Sequence, residues 1–205
     1  MKDKKVLSGK EPFLINNELQ EKTVKDFWAW ALSRLLMDGP RGDLAEYIVR
    51  MALDEDVETP KRGFGECDIL YGDCRVEVKC SSLIQEWERE KPSRPIFSIA
   101  KTVNCDIAER DGKYYYVGRD GSEAKRRSDV YVFCLFANIN RETANPLDMN
   151  QWKFWVASTA KINEVFGDRR SISLGSFKKI DAIECEYCGI KDAVNATYLP
   201  CTQKG

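Results

Sequence analysis

The stretch that decides the fold is Gly65-Glu66-Cys67-Asp68-Ile69-Leu70-Tyr71-Gly72-Asp73-Cys74-Arg75-Val76-Glu77-Val78-Lys79. Two runs of strand-forming residues, 67–71 and 74–79, are separated only by Gly72-Asp73. A two-residue loop that begins with glycine predicts a β-hairpin, because glycine supplies the positive φ that a type II′ turn requires. The loop length fixes the register: Tyr71 faces Cys74, and by extension Asp68 faces Glu77.

Three charged side chains are predicted to share one face of this hairpin. Side chains alternate along a strand, so Lys79 points to the same face as Glu77 and Asp68, while Val78 points away. Like charges directly opposite each other destabilise a sheet, so the two carboxylates need an offsetting cation. A hard divalent ion with a water nucleophile would use such a set. The alternative is a solvated hairpin face on which Lys79 neutralises an acid.

Asp68, Glu77, Val78 and Lys79 resemble the D…E-x-K signature of the restriction-endonuclease-like superfamily, the PD-(D/E)xK nucleases. Other segments between positions 23 and 174 are similar to an uncharacterised bacterial branch of that superfamily, namely 23–30, 41–42, 44–46, 81–82, 85–87, 128–133, 145–148 and 151–152. Cys67 stands where a proline often precedes the aspartate, a departure that removes no ligand. The resemblance implies an α/β fold with a mixed central β-sheet flanked by helices, and a metal site on the hairpin.

The resemblance also implies roles for individual residues. Asp68, Glu77 and the Val78 backbone carbonyl would bind Mg²⁺ or Mn²⁺, and Lys79 would lie beside the attacking water. Oxygen ligands favour these metals over zinc. Many members of the superfamily take a further acid from a helix before the hairpin, and Glu46 is the matching position. The alternative for Glu46 is purely structural, as the last residue of an Asp43-x-x-Glu46 capping box.

Four polar residues are candidates for contacts to nucleic acid: Arg41, Gln85, Arg126 and Arg127. Gln85 could contact a phosphate or a water, or it could cap a short helix together with Ser82. Arg126 and Arg127 belong to the basic cluster 125–127, which is either a phosphate clamp or a solvated turn.

The amino-acid composition excludes several classes of catalytic chemistry. The chain has 205 residues, enough for one domain with a real core, and a net charge of −1 that gives no bulk attraction to nucleic acid. It contains no histidine, which excludes Ser-His-Asp and Cys-His catalysis and His-ligated zinc.

No apolar run reaches the roughly 18 residues of a membrane span. Eight irregularly spaced cysteines and an N-terminus without a signal sequence predict reduced thiols and a cytoplasmic chain. Cys185-x-x-Cys188, with Cys201 beyond, is a weak metal or redox signal.

The remaining pattern predicts the order of elements within one domain, 1–205. Residues 1–20 read as an irregular lead-in, and 183–205 as a C-terminal extension. A pair of helices follows the lead-in. The first helix begins with a Thr23-x-x-Asp26 capping box and ends at Gly39-Pro40, and its apolar stripe is expected to lie in the core. The second helix covers 43–53. The run 129–138 predicts a central strand buried on both faces, 152–157 another strand, and 158–166 a capped helix.

Three functions remain open at this stage. The first is a metal-dependent nuclease acting on nucleic acid, most readily DNA, in restriction, phage defence or mobile-element biology. The second is a non-cutting DNA-binding or partner-recruiting module of the same fold, and the third is a scaffold whose acids are solvated. The resemblance also admits a homodimer, as in many nucleases of this superfamily. The sequence does not choose between DNA and RNA, and it shows no separate sequence-reading domain.

Overall fold

The computed structural model describes residues 6–58, 61, 67–87, 92–102 and 124–198, together with the backbone of two further strands. The strands are β1 (Pro12–Ile15), β2 (Glu18–Thr23), β3 (Ile69–Tyr71), β4 (Cys74–Ser82), β5 (Ile96–Ser98), β6 (Cys105–Arg110), β7 (Lys113–Gly118), β8 (Val130–Phe136), β9 (Trp152–Ser158), β10 (Ser171–Ser173) and β11 (Ile183–Cys185). The α-helices are α1 (Val24–Leu32), α2 (Asp38–Ala52), α3 (Thr159–Phe166) and α4 (Ile190–Thr197). A 3₁₀ helix covers Leu174–Ile180.

Five strands form the central sheet, in the order β11-β9-β8-β4-β3. The β4–β8 pair is parallel and the other three pairs are antiparallel, so the sheet is mixed, as predicted. All seven residues of β8 are buried. Its near-continuous apolar sequence is therefore that of a strand covered on both faces.

Different elements pack against the two faces of the central sheet. One face, which carries Val76 and Val78, packs against α2 and α4. The other face, which carries Tyr131 and Phe133, packs against β5, β10, α3 and the 3₁₀ helix. The chain is thus an α/β protein with helices on both sides of a mixed sheet. Glu77 and Lys79 alternate with Val76 and Val78 along β4, so they point to the second face.

The N-terminal segment differs from the prediction. Residues expected to be irregular form a β1–β2 hairpin whose two-residue turn, Asn16-Asn17, has φ values of 52° and 67°. Asparagine tolerates positive φ, so a hairpin signal was present in the sequence. The capping box of α1 is confirmed, with the Thr23 amide donating to Asp26 at 2.8 Å. The prediction that the apolar stripe of α1 lies in the core is wrong, because none of the nine α1 residues is buried and Trp30 is 83% exposed.

The second helix starts earlier than expected. It begins at Asp38 rather than Asp43, and Gly39-Pro40 lies in its first turn instead of ending the first helix. A proline fits there because the first amides of a helix have no intrahelical partner to lose. Asp43 and Glu46 therefore lie in the helix interior, and the capping-box interpretation of Glu46 is wrong.

The C-terminal segment, predicted as an extension, is part of the core. β11 adds an edge strand to the central sheet by pairing with β9. α4 buries Ile190, Ala193 and Val194 against the face that α2 also covers. Among the residues that the structure describes, no helix is both long enough and apolar enough to cross a membrane.

Candidate functional site

The β3–β4 hairpin has the register that its sequence predicts. Ile69 pairs with Val76, and Tyr71 pairs with Cys74. Gly72 has a φ of 55°, while Asp73 is not among the residues with positive φ, which matches a type II′ turn. A Cβ at Gly72 would meet nothing within 4 Å, so glycine is needed there for its φ rather than for space. The turn thereby brings Asp68 back beside the middle of β4.

Asp68 does not continue the strand ladder to face Glu77 directly. It lies in a bend just before β3, and its Oδ2 accepts a hydrogen bond of 2.8 Å from the amide of Val78. The ladder ends at Ile69–Val76, which leaves the Val78 amide without a β3 partner. A carboxylate that accepts this amide satisfies it and avoids a direct acid–acid pair.

Glu77 and Lys79 lie together on the β4 face opposite Val78. The Lys79 Nζ is 2.5 Å from Glu77 Oε1 and 3.9 Å from Asp68 Oδ2, so one ammonium bridges both acids. The other oxygen of Glu77, Oε2, accepts a 2.8 Å hydrogen bond from the Ser128 hydroxyl. Sequence reasoning did not select Ser128 as a site residue. The available signal was its position immediately before the buried strand that neighbours β4.

The site is not a solvated charge face. The side chains of Asp68, Glu77 and Lys79 are only 25%, 22% and 28% exposed. Burial raises the pKa of Asp68, the negative charge of Glu77 raises it further, and Lys79 opposes both effects. A carboxyl group with a raised pKa in a cluster of specific charge partners is typical of functional sites.

A second acid–lysine group adjoins the first. Lys61 Nζ lies 2.8 Å from Glu46 and 2.6 Å from Asp43. Burial raises the pKa of Glu46, and the charges of Asp68 and Asp43 raise it further against the opposing effect of Lys61. The charge of Asp68 thus contributes to the environment of Glu46, and a role for Glu46 in an ion site stays a prediction. Nothing in the sequence pattern around Lys61 marked it for this role.

The Val78 carbonyl is directed to the same open edge of the sheet. The N–H and C=O of one residue point to the same side of an extended strand. Since the Val78 N–H is directed to Asp68, its carbonyl oxygen faces the β3 side as well, away from β8. Two carboxylates and a carbonyl provide only oxygen donors at this edge, a chemistry that suits Mg²⁺ or Mn²⁺.

The described residues contain no group of three or more acidic, cysteine or histidine side chains arranged to hold a metal ion. Two of the acids at this edge are instead in contact with lysines: Lys79 contacts Glu77, and Lys61 contacts Glu46. Cys185 and Cys188 are free thiols, and burial raises the pKa of Cys185 to about 11. Cys201 lies outside the described residues.

Arg41 contacts Gln85, but Arg41 is buried and Gln85 is half-buried. Arg41 is 4% exposed, and its guanidinium donates to the Leu36 carbonyl, to Asp38 and, at 3.4 Å, to Gln85. Gln85 also donates to Ser93 at 3.2 Å. The predicted short helix after Ser82 is absent from the described residues 83–87, which form bends. These contacts stabilise the loop that follows β4.

Arg126 has a structural environment. It is 6% exposed, and it donates to the carbonyls of Ile99, Gly167 and Arg169 and to the side chain of Asn163. Most of its N–H donors are thereby used within the fold. Arg127 is half-buried, and its Nε and Nη2 atoms are buried without a hydrogen-bond partner among the described residues. Neither arginine therefore presents its guanidinium donors freely at the surface, which does not favour the predicted phosphate clamp.

No protein-family model, curated protein or solved structure matches this chain.

Proposed function

We propose that this chain is a Mg²⁺- or Mn²⁺-dependent nuclease that hydrolyses phosphodiester bonds, with DNA as the proposed substrate. The observation that carries the proposal is the convergence of Asp68, Glu77 and Lys79 at the open edge of β4. Their low exposure distinguishes them from the solvated face of an ordinary hairpin. The D…E-x-K resemblance supports the same assignment.

The proposed ligands of the ion are oxygen atoms of the β3–β4 hairpin and of α2. Asp68, Glu77 and the Val78 carbonyl supply the donors, and Glu46 adds a carboxylate from α2. When bound, Mg²⁺ polarises the phosphoryl oxygen and lowers the pKa of an attacking water. Burial and the charge of Glu77 raise the pKa of Asp68, and a divalent charge bound beside it would oppose both effects.

Lys79 is the residue proposed to act on the water. Its ammonium already bridges Asp68 and Glu77, so it lies where a water beside those carboxylates would be within its reach. There it donates a hydrogen bond and stabilises the negative charge that develops on the attacking oxygen.

The competing function is a non-cutting DNA-binding module of the same fold. One observation favours it: each acid pair is already bridged by an ammonium, which offsets one of its two negative charges without an ion. The half-buried acids weigh against it, since a pure binding surface has no use for two carboxylates beside a phosphate site.

A cleavage assay tests the proposal. Purified protein is incubated with supercoiled plasmid, linear duplex, single-stranded DNA and RNA, with Mg²⁺, Mn²⁺ or a chelator, beside an Asp68→Ala control. We expect cleavage of at least one DNA substrate that requires the ion and is lost in Asp68→Ala. Binding of DNA without cleavage under every condition would favour the competing module.

A further inference from the structure

We propose that Ser128 is a positioning residue that fixes the Glu77 carboxylate for divalent-ion binding. This inference rests on the proposed function. Ser128 lies two residues before β8, outside the D…E-x-K residues, and it is 3% exposed. Its hydroxyl donates to Glu77 Oε2 at 2.8 Å.

An ion entering the site would compete with only one of the two side-chain contacts of Glu77. Lys79 holds Oε1, but an ion entering between Asp68 and Glu77 competes with that ammonium for the same oxygens. The Ser128 hydroxyl is neutral and approaches the other oxygen, so it does not compete in this way. Ser128 therefore keeps Glu77 in one orientation whether or not Lys79 remains in contact.

Ser128 is itself held firmly by its neighbour. Asp129 accepts a fork of hydrogen bonds from the Arg75 guanidinium at 3.0 and 2.7 Å, and a third from the Arg75 amide at 2.9 Å. The Asp129 amide donates back to the Arg75 carbonyl at 2.7 Å. Arg75 lies two residues before Glu77 on β4. This bidentate clamp thus fixes the start of β8 against the strand that carries the acid.

The physical effect is pre-organisation. A free glutamate side chain loses rotamer entropy when it binds an ion, and a glutamate already held by a hydrogen bond loses less. Partners that orient metal ligands typically contribute about 10–100-fold in metal affinity or activity. A buried serine with only a packing role would affect stability but not ion affinity.

Calorimetric titration with Mn²⁺ distinguishes these roles. The variants are Ser128→Ala, which removes the hydroxyl, and Ser128→Thr, which keeps it. Ser82→Ala is the matched control, because Ser82 is equally buried on β4 but its hydroxyl accepts from the Ile84 amide. We expect Ser128→Ala to weaken Mn²⁺ binding by about 10–100-fold, while Ser128→Thr and Ser82→Ala stay near the parent. If Ser128→Ala does not fold, Ser128→Cys, with its weak S–H donor, is expected to show the same direction of loss.

The outcomes separate this inference from the proposed function. Parent-like Mn²⁺ affinity in Ser128→Ala, with binding lost in Glu77→Ala, overturns the positioning role and leaves the metal site intact. Parent-like affinity in Glu77→Ala overturns the metal site, and the role of Ser128 with it. Equal losses in Ser128→Ala and Ser82→Ala would also contradict the inference, because they would indicate a general effect of losing a buried hydroxyl.

Discussion

The amide of Val78 and the carboxylate of Asp68 are joined by a 2.8 Å hydrogen bond at the point where the β3–β4 ladder ends. This contact determines where the first acid of the site lies, because it holds Asp68 beside Glu77 and Lys79 rather than opposite them. The same contact shows which way the Val78 carbonyl faces. The Asp68 carboxylate and the Val78 carbonyl are therefore directed to one edge by a single local feature of the hairpin.

Lys79→Met should separate ion binding from hydrolysis. The variant removes the group proposed to stabilise the attacking oxygen, so cleavage should fall by about 10²–10⁴-fold. Mn²⁺ affinity should be equal to or tighter than that of the parent, because the ammonium 2.5 Å from Glu77 no longer competes with the ion. Cleavage kinetics and calorimetric titration on the same preparations measure the two effects.

The chain offers a matched control for this substitution. Lys153 on β9 forms an equally short contact, 2.5 Å, with Glu186, toward the other edge of the sheet. Lys153→Met should leave both cleavage and Mn²⁺ affinity unchanged. A Lys79→Met protein that degrades DNA at the parent rate would show that Lys79 takes no part in the reaction.

Glu46→Gln should weaken Mn²⁺ binding by about tenfold if Glu46 supports the ion from α2. Asp43→Asn is the control, since both acids contact Lys61 but Asp43 is 59% exposed and Glu46 only 19%. Asp43→Asn should stay within about twofold of the parent. If the two variants bind Mn²⁺ with the same affinity, Glu46 belongs to the ion pair with Lys61 and not to the metal site.

Asp129→Asn should make stability depend less on pH. Hydrogen bonds from the Arg75 side chain hold the pKa of Asp129 below its usual range. A lowered pKa stabilises the folded state at pH values above the pKa of the unfolded chain, and the stabilisation is lost as the pH falls through the folded-state pKa. Asp129→Asn should therefore lower the free energy of unfolding by about 1 kcal/mol at pH 7, since the pair is partly exposed.

Denaturant unfolding at a series of pH values measures this effect. The difference between parent and variant should shrink as the pH falls below about 4. Asp168→Asn provides a comparison, because its 2.6 Å pair with Lys101 is far more exposed and should contribute less at pH 7. A difference that stays constant down to low pH would mean that the charge of Asp129 is not what stabilises the clamp.

Substitution of two tryptophans should change the free energy of unfolding by very different amounts. Trp152 is fully buried and donates its indole N–H to the Pro146 carbonyl, so Trp152→Ala should cost about 3–5 kcal/mol of unfolding free energy. Trp30 is 83% exposed, so Trp30→Ser should change stability by less than about 0.5 kcal/mol. Denaturant unfolding compares them. A large loss in Trp30→Ser would place α1 in the core after all.

The hairpin and the central sheet were predictable because local rules determine them. Gly72-Asp73 sets the β3–β4 register, and the apolar run of β8 indicates burial on both faces. Local rules failed where an amphipathic pattern has no partner in the described fold. The stripe of α1, including Trp30, has the period of a core helix but remains exposed. Periodicity shows that a helix has an apolar face, not that something covers it.

The site was predictable only in part. Asp68, Glu77 and Lys79 follow from one hairpin, so their proximity needs no knowledge of tertiary structure. Ser128 and Lys61 reach the same cluster from distant parts of the chain, and no short-range pattern indicates such contacts. The buried environments of Arg41 and Arg126 likewise come from tertiary packing, whereas their sequence context indicates only positive charge.

The most direct test of the metal site is a calorimetric titration of the parent, Asp68→Ala and Glu77→Ala proteins with Mn²⁺. We predict saturable binding by the parent and a loss of at least about tenfold in affinity in each variant, with all three proteins folded. Absence of Mn²⁺ binding by the folded parent, or equal affinity in all three proteins, would contradict the assignment of these carboxylates to a divalent ion.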